Sequence, residues 1–155
     1  MADWTGILEE AEDKIAELLG EHVEGARKVD ALPDILPEQE SVMYVADLRG
    51  GGTAIEPDSQ NYNTRGGLDG SAREKEVRCN IEGIATTKRL ARRFIEGIWN
   101  ALPQEPNARP ISRIYVEVEP DMVRGTYPTA TSAGADRQVY AITAGLVVQL
   151  YKGGN

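Results

Sequence analysis

The chain holds one histidine, His22, and one cysteine, Cys79. A thiol beside an imidazole can supply a nucleophile and its base, but nothing in the sequence brings these two together. His22 follows an apolar helical stretch that ends near Gly20, where a histidine reads as a surface residue. With no second histidine there is no metal-ligand spacing. Cys79 alternates with Val77 and Ile81, which reads as a small buried hydrophobe of a strand. The glycine clusters at residues 50–52 and 66–67 invite a phosphate loop. Neither is followed by the Gly-Lys-Ser/Thr that such a loop needs, and neither leads into a helix. Carboxylates are plentiful, yet Asp47, Glu56, Asp58 and Asp69 are scattered on or beside a polar stretch. Glu117 and Glu119 stand two apart, as on any wet strand face. No catalytic residue, metal ligand or cofactor site is expected, and a protein without a convergent catalytic set works through its surfaces.

The chemistry that remains is charge. The chain of 155 residues has a net charge of −8, against the basic stripe of a dedicated nucleic-acid binder. Its positive charge is partly clustered in Lys88, Arg89, Arg92 and Arg93, which read as the solvated face of a helix or as a docking patch for an acidic surface. The longest nearly apolar run, residues 139–148, is too short to span a bilayer. The opening Met-Ala-Asp-Trp has neither a basic region nor an apolar core, so synthesis in the cytoplasm without export is expected.

The elements that would position these groups follow from periodicity. Trp4, Ile7, Leu8, Ala11, Ile15, Leu18 and Leu19 recur at spacings of three and four, predicting a helix over about residues 4–19, capped by Asp3 or Thr5. Residues 29–37, with two prolines, read as a connector. "SVMYVADL" is a strand with Val42, Tyr44, Ala46 and Leu48 on one face. Residues 50–71 have no apolar period and read as a long flexible loop. "EVRCNIEGIATTKRLARRFIEGIWNAL" changes period half way. A strand with Val77, Cys79 and Ile81 inward runs straight into a helix capped by Thr86 or Thr87, with Leu90, Ala91, Phe94, Ile95, Ile98, Trp99 and Leu102 as its stripe. In "ISRIYVEVEP", Ile114, Val116 and Val118 predict a third inward-facing set. Residues 120–136 read as a long hairpin loop. "RQVYAITAGLVVQLYK" is apolar on both faces and, at about 3.3 Å per residue, reaches roughly 45 Å. That length predicts a bend at Gly145 or a part that leaves the core. Two apolar faces predict a central place in the sheet or cover by a neighbouring subunit. The expectation is one α+β domain in the order α-ββ-α-ββ, a mostly antiparallel sheet of about four strands with two helices packed on one face.

This pattern resembles the tail terminator and tail completion proteins of long-tailed bacteriophages. The likeness rests on the N-terminal helix, on "MYVADLRG" and the glycine-rich loop after it, and on the strand ending "IEGIATT". It extends to the amphipathic helix ending in Ala101–Leu102 and to the closing strand, and so runs from about Trp4 to Lys152. The chain departs from the pattern in the length of the 50–71 loop and of the 120–136 hairpin. The resemblance implies a structural protein of the virion, not an enzyme, made in the host cytoplasm and placed at the head-proximal end of the tail. It implies a homo-oligomeric ring, usually a hexamer, that caps the tail tube and stops its polymerisation. The ring would meet neck or head-completion proteins, and DNA would pass through its lumen without specific binding.

Three surfaces would carry such contacts: the 50–71 loop with Arg49, Tyr62 and Arg65; the 120–136 hairpin with Arg124 and Tyr127; and Arg89, Arg92 and Arg93 against acids such as Glu74 or Glu76 of a neighbour. Tyrosine and arginine are enriched where interfaces bind tightly. Three other readings stand beside this one. The first is a neck, head-completion or other minor tail protein. The second is a small ligand-binding domain or enzyme with a pocket under the 50–71 loop, using Asp47, Arg49 or Asp69. The third, disfavoured by charge, is a nucleic-acid binder acting through Arg89, Arg92 and Arg93.

Overall fold

A computed structural model describes residues 4–23, 25–34, 42–49, 53–54, 74–101, 110–128 and 137–151. Helix α1 spans Ile7–His22, followed by β1 (Ala26–Lys28), β2 (Val42–Leu48), β3 (Thr53–Ala54), β4 (Glu74–Ala85), α2 (Lys88–Ala101), β5 (Ile111–Tyr127) and β6 (Arg137–Tyr151). The class is α+β, as expected, but the sheet is larger and mixed. Five strands lie in the order β1-β2-β4-β6-β5, and β3 pairs with β4 off that path. β1 runs parallel to β2, while the other pairs are antiparallel. β1 escapes sequence reading because "ARK" is too short to show a period. β3 falls inside the expected 50–71 loop, and the rest of that loop, with Tyr62 and Arg65, lies outside the described residues.

Both helices cover one face of the sheet. Ile7, Ala11, Ile15, Leu18 and Leu19 of α1 and Ala91, Phe94, Ile95 and Ile98 of α2 share a core with alternate residues of β2, β4 and β6. At its centre the rings of Tyr44 and Phe94 pack 5.1 Å apart, tilted by 52°. Gly83 sits under them. A Cβ there would come within 3.3 Å of the Met43 carbonyl oxygen and 3.4 Å of the Tyr44 Cβ, so the bare backbone makes room for the tyrosine. α1 starts later than expected, at a left-handed Gly6 with φ 77° and no side-chain cap. It passes through Gly20 and closes on Val23, whose buried side chain holds the last turn to the core. α2 is capped as expected: Thr87 Oγ1 accepts from the Leu90 amide at 3.2 Å.

Among the described residues, the far face of the sheet is covered only at one end. There Val29, Leu32 and Tyr127 pack on Met43, Ile84 and Val139. The Tyr127 hydroxyl donates to the Pro33 carbonyl oxygen. The expected connector of residues 29–37 thus begins as a patch over this corner.

The strand β5 corrects the expected 120–136 loop. It continues to Tyr127 because Met122 faces Ile142 and Val123 faces Ala141 across the ladder with β6. Residues 129–136 lie outside the described part. Irregularities fall between Ile111 and Arg113, Val116 and Val118, and Val118 and Asp121. Each extra residue reverses the alternation of side chains. Val118, expected to face inward with Ile114, is therefore turned out and 56 % exposed. Pro120 is tolerated because it lies in an edge strand at such an irregularity. β6 neither bends out of register nor leaves the sheet. Its pairing with β4 is unbroken from Tyr140 to Tyr151. It lies centrally between β4 and β5, and of its outward apolar residues Val139 is buried in the corner patch while Ala141 is exposed.

Candidate interface surfaces

The face that the described residues leave open can be read as a grid from the strand registers. Taking β2, β4, β6 and β5 in turn, one row is Val45, Glu82, Thr143 and Asp121. The next row is Asp47, Asn80, Gly145 and Val118, and beyond it Arg78, Val147 and Tyr115 are neighbours. The first two rows hold three carboxylates, Asp47, Glu82 and Asp121, and no cation. Asp47 is approached by Arg49 at 3.6 Å. Glu82 has no partner among the described residues, and Asp121 Oδ1 accepts only the Met122 amide at 2.8 Å. Arg78, one row further, is bound to Glu117 at 3.1 Å. Over Gly145, where no side chain rises, a shallow hollow of about 200 Å³ is lined by Asn80, Glu82, Val118 and Thr143. Val118 leans over this glycine, since a Cβ on Gly145 would stand 3.1 Å from the valine's Cβ and Cγ2. Val118 and, at 65 % exposure, Val123 give the open face its exposed apolar part.

The second surface is the outer face of α2. Lys88, Arg89, Arg92 and Arg93 are exposed and make no ion pair among the described residues. The helix has no acidic residue in its first turn and none of its basic residues in its last. Cations at the positive end of a helix dipole are unfavourable, and the one acid of the helix beside them is Glu96, a turn on from Arg92 and Arg93. At the other end of α2, Trp99 is half exposed and donates its indole N–H to Glu119 Oε2 at 3.1 Å. The stripe expected of Trp99 is thus only half realised, because it packs beside the irregular part of β5 and not into the core.

The expected contact residues are dispersed over the molecule. Arg49 is exposed at the end of β2, held by its amide to the Arg78 carbonyl oxygen at 3.1 Å. Arg124 is exposed on β5, opposite Tyr140. Tyr127 is engaged within the chain through Pro33 and the corner patch. Among the described ones, only Arg89, Arg92 and Arg93 form a single continuous patch. The open-face residues Glu82, Val118, Asp121 and Gly145 were not singled out as a surface. Glu82 carried a signal as a polar alternate of β4, but the bulges that bring Val118 and Asp121 beside it leave no mark in the pattern.

Two groups bear on catalysis. Cys79 is fully buried. Burial, then the negative charges of Glu12 and Asp47, push its thiol up to about 12, with Lys28 opposing. It stays protonated at ordinary pH and packs as an apolar side chain. Glu12, half-buried between α1 and β2, spends Oε1 on the Leu48 amide at 3.1 Å, where β1 no longer covers the β2 edge. Its Oε2 lies 3.9 Å from the Lys28 ammonium. This carboxylate caps a strand edge. Among the described residues no group of three or more His, Cys, Asp or Glu side chains could hold a metal ion, and no helix is long and apolar enough to cross a membrane.

No protein-family model matches this chain, and a search of curated proteins finds no match.

Proposed function

We propose that this chain is a tail terminator of a long-tailed bacteriophage. It is a structural protein that closes into a ring, caps the finished tail tube, stops its polymerisation and offers the head or neck a docking surface. The observation that carries the reading is the strand β4 running through Thr86 and Thr87 straight into the amphipathic α2, between an N-terminal helix and a long closing strand. That is the order and spacing on which the resemblance rests. Two further observations support work by surfaces: among the described residues, one sheet face is largely uncovered and a continuous basic patch has no partner of its own. A ring, of six copies by the family likeness, needs one surface to meet a different one on the next copy, and closure of such a contact halts growth. The partners would be further copies of the chain, the tail tube protein and a neck protein. The acidic net charge of −8 suits a passage in which DNA slides without sticking.

The test is to add the purified chain to polymerising tail tubes and measure tube length by electron microscopy. Tubes that stop at a capped end support the reading. Unchanged lengths with bare ends refute it, and binding only to already capped tails or to heads would assign the chain to the neck.

A further inference from the structure

We infer that the basic outer face of α2 docks on the acidic open face of the sheet of a second copy of this chain, head to tail. This deepens the ring reading above and rests on its premise of self-association. The argument is charge complementarity on surfaces already described. Lys88, Arg89, Arg92 and Arg93 are exposed, like-charged and without a partner among the described residues. They crowd the end of the helix where the dipole disfavours cations. Glu82 and Asp121 are exposed carboxylates in one row of the open face, with no cation in that row to pair with. The scales agree. Residues 88–93 extend about 8 Å along the helix, and Glu82 and Asp121, two strands apart, are separated by about 10 Å.

Between and beside these carboxylates lie the hollow over Gly145 and the exposed Val118 and Val123. They supply the apolar centre that a charged rim requires. The helices cover the opposite face of the sheet, so one molecule cannot satisfy both surfaces by itself. Each copy carries one of each, and the contact is heterologous.

The experiment is a charge swap on the full chain, read as mass by light scattering across concentration at low salt. One variant carries Arg89→Glu, Arg92→Glu and Arg93→Glu; the other carries Glu82→Lys and Asp121→Lys. Each alone is expected to raise the self-dissociation constant by at least about tenfold. An equimolar mixture of the two, or both sets in one chain, is expected to restore association, because every contact is again between opposite charges. Should either multiple variant fail to fold by circular dichroism, the single pair Arg92→Glu and Glu82→Lys carries the same test. The inference is overturned if either variant associates like the parent, if the mixture stays apart, or if the parent is a monomer at every concentration. It is also overturned if the helix variant loses only retention on duplex DNA, which would assign the patch to a phosphate backbone. Tube capping is measured separately. Capping with unaltered association in the variants keeps the tail reading and removes this contact, while association through this contact without capping does the reverse.

Discussion

On β4 the side chains facing the helices are those of Val77, Cys79, Ile81 and Ala85, all buried. Those facing the other way are Glu76, Arg78, Asn80 and Glu82, with Ile84 alone buried at the covered corner. The same strand thus borders two environments. On the helix side packing is complete and specific, and the centre of the contact is a pair of aromatic rings. On the open side the residues are charged, small or singly apolar, and the surface is left with a hollow. The difference separates the face that holds the fold together from the face that the described residues leave exposed.

The comparison breaks most visibly at Phe94. Phe94→Ala should cost about 3–5 kcal/mol in denaturant unfolding, because the ring is fully buried and Tyr44 loses its partner. A loss below 1 kcal/mol would mean the covered face is not the core. Alkali should act next. Burial pushes Cys79 and Tyr44 up to about 12, from 9.0 and 10.0 respectively. The unfolded chain therefore releases these protons first, so stability is full below pH 9 and declines as pH rises through about 12. Cys79→Val should flatten that decline in melting temperature between pH 9 and 11; an unchanged slope would place the titration elsewhere.

Two glycines sharpen the contrast at smaller magnitude. Gly83→Ala must displace a backbone oxygen and a buried tyrosine and should destabilise by about 1–3 kcal/mol. Gly145→Ala has only the exposed Val118 to move and should change stability by less than about 1 kcal/mol. Equal losses would show that the open face is as tightly built as the covered one. Smallest of all, Val123→Ser should leave stability within about 0.5 kcal/mol, measured by the same unfolding curves.

The covered face was legible in the sequence because it is written in period. The stripe of α1, the inward set of β4 and the stripe of α2 up to Ile98 all stand where alternation places them. What was not legible depends on pairing. Nothing in "ARK" announces a parallel edge strand. "DMVRGTY" reads as loop until Met122 is set opposite Ile142. Val118 was assigned to the wrong face because an inserted residue shifts the phase without changing composition. The basic patch was visible from Arg89, Arg92 and Arg93 at helical spacing. Its acidic counterpart was not, since Glu82 and Asp121 become neighbours in a row only through the registers of three strands.

The junction at Thr86 and Thr87 has a geometric consequence. The strand that carries Glu82 and the helix that carries Arg92 are joined without a loop, and the Thr87 cap fixes the first turn. The basic patch and the acidic band are thereby two plates welded at a set inclination. In a head-to-tail assembly each added copy is turned by the same increment, and that increment decides how many copies complete a circle. If copies meet through the proposed contact, that increment is set by this two-residue joint, and inserting residues between Ala85 and Lys88 would change the number of copies in the circle.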